Sequence, residues 1–140
     1  MFYLDSSVLV CLFSSEDRTH AIQSWRENMK SEDVRISEWN ITEFYSALSF
    51  KRRTAQMSVE QRHDAETLFQ NYLRNYPDVL QVSTVNFRRA SAISGRDDIN
   101  IRAPDALHLA IAEAHSATIC TLDMKMYQAA DAVGIARLMP

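Results

Sequence analysis

The sequence predicts an α/β protein in which helices cover a parallel sheet. Short β-type runs alternate with helical stretches along the whole chain, and this order is typical of parallel strands joined by crossover helices. The 140 residues have the length of one ordinary domain, so we expect residues 1–140 to fold as a single unit. A hydrophobic content of 46% with 24% charged residues is that of a soluble globular protein.

The first half of the chain predicts two strands and four helices. The strands are expected at 2–4 and 34–37, because each of these segments is a short β-type run. Helical patterns predict four helices, at 7–13, 15–29, 38–53 and 58–75. Ser15 is a suitable N-cap for the second helix. Ser58 and Gln61 have the spacing of a capping box at the start of the fourth.

The second half predicts three more strands and three more helices. The strands are expected at 80–83, 118–122 and 135–138. The helices are expected at 85–94, 104–115 and 124–132, with a polar loop before the second of them. Pro104 suits the first turn of its helix, and Gly134 is expected to end the last one.

Composition argues against several classes of protein. No apolar run approaches the roughly 20 residues of a membrane span, and the chain starts in a strand pattern without a basic leader, so we expect a cytoplasmic location. Cys11 and Cys120 stand alone in apolar runs, which favours buried reduced thiols over a disulfide or a zinc site. The net charge of −3 argues against a simple basic nucleic-acid-binding module.

Four carboxylates stand inside or beside apolar segments, where an unpaired charge is expensive. They are Asp5, Glu43, Asp105 and Asp123. Asp5 and Asp123 follow predicted strands, and ligands of open parallel sheets gather beyond the carboxyl ends of strands. Glu43 and Asp105 lie on helices that could flank the same crevice. Because shared coordination of a cation makes such charges tolerable, the pattern predicts a divalent-metal site.

Each carboxylate also has an ordinary structural explanation. Asp5 and Asp123 could be N-caps, and Asp105 could simply favour the first turn of its helix. Glu43 could extend to solvent or pair with a basic residue of its own helix. His108 lies one turn from Asp105 and could approach the site, although a hydrogen-bonded histidine in the crevice wall is the simpler interpretation.

Four motifs surround these carboxylates, at Tyr3–Leu9, Ile41–Phe44, Ala103–Ala110 and Thr121–Asp123. Together they resemble the PIN-domain family, and within it the compact VapC-type toxins of toxin–antitoxin pairs. The resemblance implies a three-layer α/β/α fold with a mostly parallel five-stranded sheet. It also implies a Mg²⁺- or Mn²⁺-dependent endoribonuclease, often a homodimer, that a small antitoxin protein holds inactive.

By motif position, the resemblance assigns catalytic and metal-binding roles to Asp5, Glu43, Asp105 and Asp123. Ser6 and Thr121 match its accessory hydroxyl positions. The bound ion is expected to activate water for attack on the scissile phosphate of a structured RNA, which would leave a 5′-phosphate. Ser116 and Ala117 depart from the family pattern, because a glycine is frequent there.

RNA contacts are expected from basic residues outside the acidic crevice. The candidates are Lys51, Arg52, Arg53, Arg96, Arg102 and Lys125. Such residues would bind phosphates without reading sequence, although residues 51–53 could equally be a solvated helix end that complements the helix dipole. The alternative to catalysis is a PIN-like domain that binds RNA or a protein without cleaving.

Overall fold

The computed structural model describes residues 1–14, 19–30, 33–75 and 79–140. Helices and strands alternate through these residues as the sequence predicts. The elements are β1 (Phe2–Leu4), α1 (Ser6–Phe13), α2 (Thr19–Glu27), β2 (Val34–Ser37), α3 (Glu38–Arg53), α4 (Val59–Asn75), β3 (Val79–Leu80), α5 (Thr84–Ser94), α6 (Ala103–Ala114), β4 (Thr118–Cys120), α7 (Met124–Ala132) and β5 (Arg137–Leu138).

The five strands form one sheet in the order β3-β2-β1-β4-β5, with β1 in the centre. All four pairings between the described strands are parallel, and β1 aligns Phe2 with Val34 of β2 and Leu4 with Cys120 of β4. The chain adds β2 and β3 on one side of β1 and then crosses to add β4 and β5 on the other. This switch in strand order opens a crevice beyond the carboxyl ends of β1 and β4.

The helices cover both faces of the sheet, because side chains alternate between the faces along each strand. Tyr3 and Ile119 pack into a core cluster that includes α5, α6 and α7. Leu4 and Cys120 pack into a second cluster, with residues of α1 to α4. The predicted three-layer α/β/α architecture is therefore confirmed.

Two predicted helix starts differ in outcome. The capping box before α4 is present: the Ser58 N–H donates to Gln61 Oε1 at 2.7 Å, and the Gln61 N–H donates to Ser58 Oγ at 3.1 Å. In the second helix, α2 is described from Thr19, and the predicted cap Ser15 lies outside the described residues.

Three predicted strands are shorter in the structure. The strand expected at 80–83 is found at Val79–Leu80, because Ser83 serves as the N-cap of α5. Its hydroxyl accepts from the Asn86 N–H, and the Asn86 side chain accepts from the Ser83 N–H. The strands expected at 118–122 and 135–138 shorten to the bounds of β4 and β5.

Within the described residues the left-handed backbone region is occupied after three helices, at Ala55, Ser116 and Gly134. Gly134, with φ 75°, follows the C-cap of α7 and ends that helix as predicted. Ser116, with φ 50°, follows the C-cap of α6 at the position where the family often has glycine. A residue with a Cβ is disfavoured in this conformation, so Ser116 is a strained position.

The burial of the two cysteines agrees with the expectation from the sequence. Cys11 and Cys120 are both buried, and burial raises the pKa of the Cys120 thiol to about 12. Within the described ranges, none of the helices combines the length and apolar character that crossing a membrane requires.

Candidate active site

A cleft of about 690 Å³ lies at the carboxyl ends of β1 and β4. All four of the carboxylates singled out in the sequence line it, namely Asp5, Glu43, Asp105 and Asp123. They arrive from four different parts of the fold: the ends of β1 and β4, the middle of α3 and the first turn of α6. The sheet thus gathers acidic groups that are far apart along the chain.

Asp5 is the most buried of these carboxylates, with 2% of its surface exposed. It caps α1, since Oδ1 accepts from the Val8 N–H at 3.1 Å and from the Ser7 hydroxyl at 2.5 Å. Oδ2 accepts from the Thr121 hydroxyl, also at 2.5 Å. Burial raises the pKa of Asp5 despite these hydrogen bonds. Asp5 is therefore an N-cap, as the structural explanation expected. The same hydrogen bonds hold its carboxylate in an environment where a cation would be favourable.

The loop after β4 is fixed by the same hydroxyls. The Leu122 N–H donates to Ser7 Oγ, and the Asp123 N–H donates to Thr121 Oγ1, both at 2.9 Å. Asp123 itself caps α7, because its Oδ1 accepts from the backbone N–H groups of the first turn. The Thr121 hydroxyl thus connects Asp5 to the backbone of Asp123.

Glu43 is held by two groups from other elements. The Ser6 hydroxyl and Nε2 of His108 both contact Oε2 of Glu43 at 2.5 Å. Burial alone would raise the pKa of Glu43, but the hydrogen bond and charge of His108, together with Ser6, outweigh it and lower that pKa. Glu43 therefore pairs across the cleft and not with a basic residue of its own helix. Ser6, expected as an accessory hydroxyl, serves Glu43.

His108 is anchored from behind by a buried phenol. Its Nδ1 lies 2.8 Å from the Tyr3 hydroxyl, which in turn lies 2.8 Å from Ser37 Oγ. His108 is 1% exposed, and Tyr3 is fully buried. Because a carboxylate only accepts, the contact between Nε2 and an ionised Glu43 requires a proton on Nε2. His108 therefore both forms part of the wall and reaches the site.

Asn40 closes this polar network beneath the cleft. Its side-chain oxygen accepts from the Ser37 N–H at 2.7 Å, which completes the capping box of α3. Its side-chain amide donates to the carbonyl of Leu4 at 3.0 Å and to Ser6 Oγ at 3.3 Å. Hydrogen bonds thereby connect the end of β1 and the start of α3 to the wall of α6. Of the side chains in this network, Ser37 and Asn40 lie outside the four sequence motifs.

Asp105 is the carboxylate with the most exposed partner. Its Oδ2 lies 3.3 Å from Nε of Arg102, whose side chain is mostly in solvent. Such an exposed pair contributes little to stability. Asp105 also lies in the first turn of α6, where the helix dipole favours a negative charge.

The basic residues proposed for RNA binding divide into two groups. Arg53 and Arg102 line the cleft, and Phe50, which the sequence pattern did not single out, lies beside Arg53 in the same lining. The remaining four lie outside the lining: Lys51, Arg52, Arg96 and Lys125. Arg52 donates to the carbonyl of Met57, and Arg96 is paired with Asp98, so both of these guanidinium groups have local partners.

The donor chemistry of the cleft fits a hard divalent cation, because its candidate ligands are all carboxylate oxygens. As the side chains stand, no three His, Cys, Asp or Glu residues in the described part of the chain are close enough to hold an ion. The two most engaged carboxylates, Asp5 and Glu43, are turned towards hydroxyl and imidazole partners. Binding of an ion would therefore require a rearrangement of these side chains.

The fold and cleft define an α/β domain with a carboxylate-lined site at the switch point of a parallel sheet. The chain belongs to the PIN domain family, whose model matches residues 2–132. None of the curated proteins that were compared with the chain matches it.

Solved structures share this fold over nearly the whole chain. FitAcB from Neisseria gonorrhoeae is 21% identical, with a TM-score of 0.79 over 100% of this chain and 98% of that one. VapC20 from Mycobacterium tuberculosis, a toxin that cleaves the sarcin–ricin loop, is 16% identical, with a TM-score of 0.73 and 100% coverage of both chains. A toxin–antitoxin complex from Klebsiella pneumoniae is 20% identical, with a TM-score of 0.64 over 91% of this chain and 90% of that one. At these identities the likeness shows the fold.

Proposed function

We propose that this protein is a Mg²⁺- or Mn²⁺-dependent endoribonuclease and the toxin of a toxin–antitoxin pair. The observation that carries the proposal is the convergence of four carboxylates on one cleft of a PIN domain. The similar structures support it, since one of them is a toxin that cleaves the sarcin–ricin loop and another is a toxin–antitoxin complex.

In this proposal Asp5 and Asp105 are the principal ligands, and Glu43 contributes directly or through water. Asp123 completes the same site or helps to recruit a second ion. A bound divalent ion supplies Lewis acidity and activates water at neutral pH. The hydroxyls of Ser7 and Thr121 donate hydrogen bonds to the two carboxylate oxygens of Asp5 and hold the group at the carboxyl end of β1.

The remaining side chains position Glu43 and the substrate. The contacts of His108 and Ser6 fix the Glu43 carboxylate on the wall of α3. Arg53 and Arg102 also line the cleft, and we expect them to bind phosphates of the RNA substrate.

The proposed partners follow from the family resemblance. We expect an antitoxin that inserts a basic side chain among the carboxylates and lays a helix across nearby apolar surface. A homodimer, a cytoplasmic location and a single-domain organisation of residues 1–140 are further parts of this proposal.

The test is cleavage of a mixed pool of structured cellular RNAs by the purified protein in Mg²⁺, in Mn²⁺ and in EDTA. Asp5→Asn is the control. We expect metal-dependent cuts with 5′-phosphate ends that are lost in the variant. Products with 2′,3′-cyclic phosphate would rule out the metal-activated water. If the folded protein binds the metal but makes no cuts, the non-catalytic binding module becomes the better proposal.

A further inference from the structure

The rim of the acidic cleft carries an exposed aromatic side chain that the proposed chemistry does not use. Phe50 is 54% exposed, whereas Phe44, on the same helix, is completely buried. A single exposed apolar side chain is common on protein surfaces and needs no explanation by itself. Phe50, however, lies in the lining of the cleft that holds the four carboxylates.

One face of α3 presents a carboxylate, an aromatic ring and a cation in sequence. The residues of α3 that line the cleft are Glu43, Ser46, Ala47, Phe50 and Arg53. Their spacing of three and four residues places them on a single helical stripe. At a rise of about 1.5 Å per residue, Phe50 lies roughly 10 Å along the helix from Glu43, and Arg53 roughly 15 Å.

This spacing matches a nucleic-acid strand that leaves the acidic centre along α3. Stacked nucleotides repeat about every 3.4 Å along a strand, so Phe50 would meet a base within about three nucleotides of the scissile phosphate. Aromatic rings bind nucleobases by stacking, and a base becomes available for this only when it is unpaired. The Arg53 guanidinium, already held by Ser49 Oγ at 2.9 Å, is placed to bind a phosphate beyond that base.

The charges around Phe50 favour RNA over a basic protein segment as its occupant. Arg53 lies one turn beyond Phe50 on α3, and Arg102 lines the same cleft with its side chain 81% exposed and its Nε 3.3 Å from Asp105 Oδ2. The Arg53 cation next to the ring attracts a phosphate chain and repels the basic segment that an antitoxin is expected to bring to the carboxylates.

We propose that Phe50 is a stacking platform for an unpaired base next to the cleavage site and that Arg53 binds the adjoining phosphate. The base that contacts Phe50 must then be unpaired when the RNA is bound. This inference rests on the proposed function, because it takes the cleft to be an RNA-binding site.

The experiment measures binding separately from cleavage. Asp5→Asn protein in Mg²⁺ is titrated into a short fluorescein-labelled RNA of mixed sequence, either single-stranded or annealed to its complement, and fluorescence anisotropy is recorded. Phe50→Ala and Phe50→Trp are added to this background. Phe87→Ala is the matched control, because Phe87 is 53% exposed on α5 and lies outside the cleft lining. Thermal melts verify that each variant is folded.

We expect the single strand to bind at least about tenfold more tightly than the duplex. Phe50→Ala should weaken single-strand binding by about five- to a hundredfold, the range observed when one stacking side chain is removed. Phe50→Trp should restore binding, and Phe87→Ala should have no effect. Arg53→Ala should lower the slope of log affinity against log salt by about 0.7, the value for one phosphate contact on a single strand.

Three results would overturn the inference. They are equal binding of single strand and duplex, equal effects of Phe50→Ala and Phe87→Ala on binding, and no binding of either RNA. A Phe50→Ala variant that binds RNA normally but loses a protein partner would also overturn it. The cleavage assay separates this result from the proposed function. Phe50-dependent binding without cleavage by the wild type would leave the platform standing and remove the nuclease, whereas cleavage unaffected by Phe50→Ala would remove only the platform.

Discussion

The Tyr3 hydroxyl is buried and contacts His108, the residue that holds the Glu43 carboxylate. The Tyr3→Phe substitution removes this hydroxyl and keeps the aromatic ring. The hydroxyl contacts Nδ1 of His108 and Oγ of Ser37, each at 2.8 Å. The substitution leaves Ser37 its hydrogen bond to Asn40 but takes the partner of Nδ1 away. The tilted packing of the aromatic ring against the imidazole, with centroids 5.7 Å apart, should persist.

The expected cost follows from burial. His108 is almost fully buried, and a buried polar group without a partner costs about 1–3 kcal/mol. For a chain of this length, 1 kcal/mol corresponds to roughly 3 °C in Tm, so Tyr3→Phe should lower Tm by about 3–9 °C. If Glu43 acts at the site, looser support of its imidazole partner should also reduce RNA cleavage by about 10- to 100-fold.

The measurement is thermal and urea unfolding in EDTA, followed by the cleavage assay in Mg²⁺. Tyr45→Phe is the matched control, since the Tyr45 ring packs on Phe44 and Phe69 and no hydrogen bond of its hydroxyl is found within the described residues. A Tyr3→Phe protein as stable as Tyr45→Phe would refute the reasoning, because it would mean that the Tyr3 hydroxyl does not support His108.

Three further predictions concern stability and reactivity. Burial raises the pKa of Asp5, so its ionised form destabilises the metal-free fold. Asp5→Asn should therefore raise Tm in EDTA, by an amount that grows as pH rises above about 4. A lower Tm of the variant at neutral pH would contradict this. Ser116→Gly should stabilise the protein by about 0.5–1 kcal/mol in urea unfolding, because relief of the left-handed strain exceeds the added chain entropy; a loss of stability would show that the serine is not strained. With a thiol pKa of about 12, buried Cys120 should resist iodoacetamide at mildly alkaline pH until the protein unfolds, and prompt labelling of the native protein would show that β4 is more open than described.

The fold was predictable because the central elements carry strong local signals. The apolar run of β1 and the capping box at Ser58 act over a few residues, and both were predicted correctly. The end of β3 was not, because the Ser83 hydroxyl and the Asn86 side chain cap α5 and compete with strand pairing.

The convergence of the four acids on one cleft was predictable from the sequence, whereas the pairing of Glu43 with His108 was not. Asp5 and Asp123 follow strands, so the topology of a parallel sheet brings them to one edge. The contact between Glu43 and His108 joins side chains 65 residues apart and depends on how α3 and α6 pack, which local patterns do not contain. Phe50 is one of several apolar side chains of α3, and periodicity alone does not distinguish an apolar side chain that packs in the core from one that faces a cleft.

The central position of β1 has a consequence for folding during synthesis on the ribosome. Asp5 and Thr121, which share a hydrogen bond in the cleft, are 116 residues apart along the chain. At a synthesis rate of about 5–20 residues per second, Asp5 is made roughly 6 to 23 seconds before Thr121. Until β4 emerges, one edge of β1 has no partner and the acidic cleft does not exist. A nascent chain of this topology therefore lacks the cleft that gathers the four carboxylates until β4 has been made.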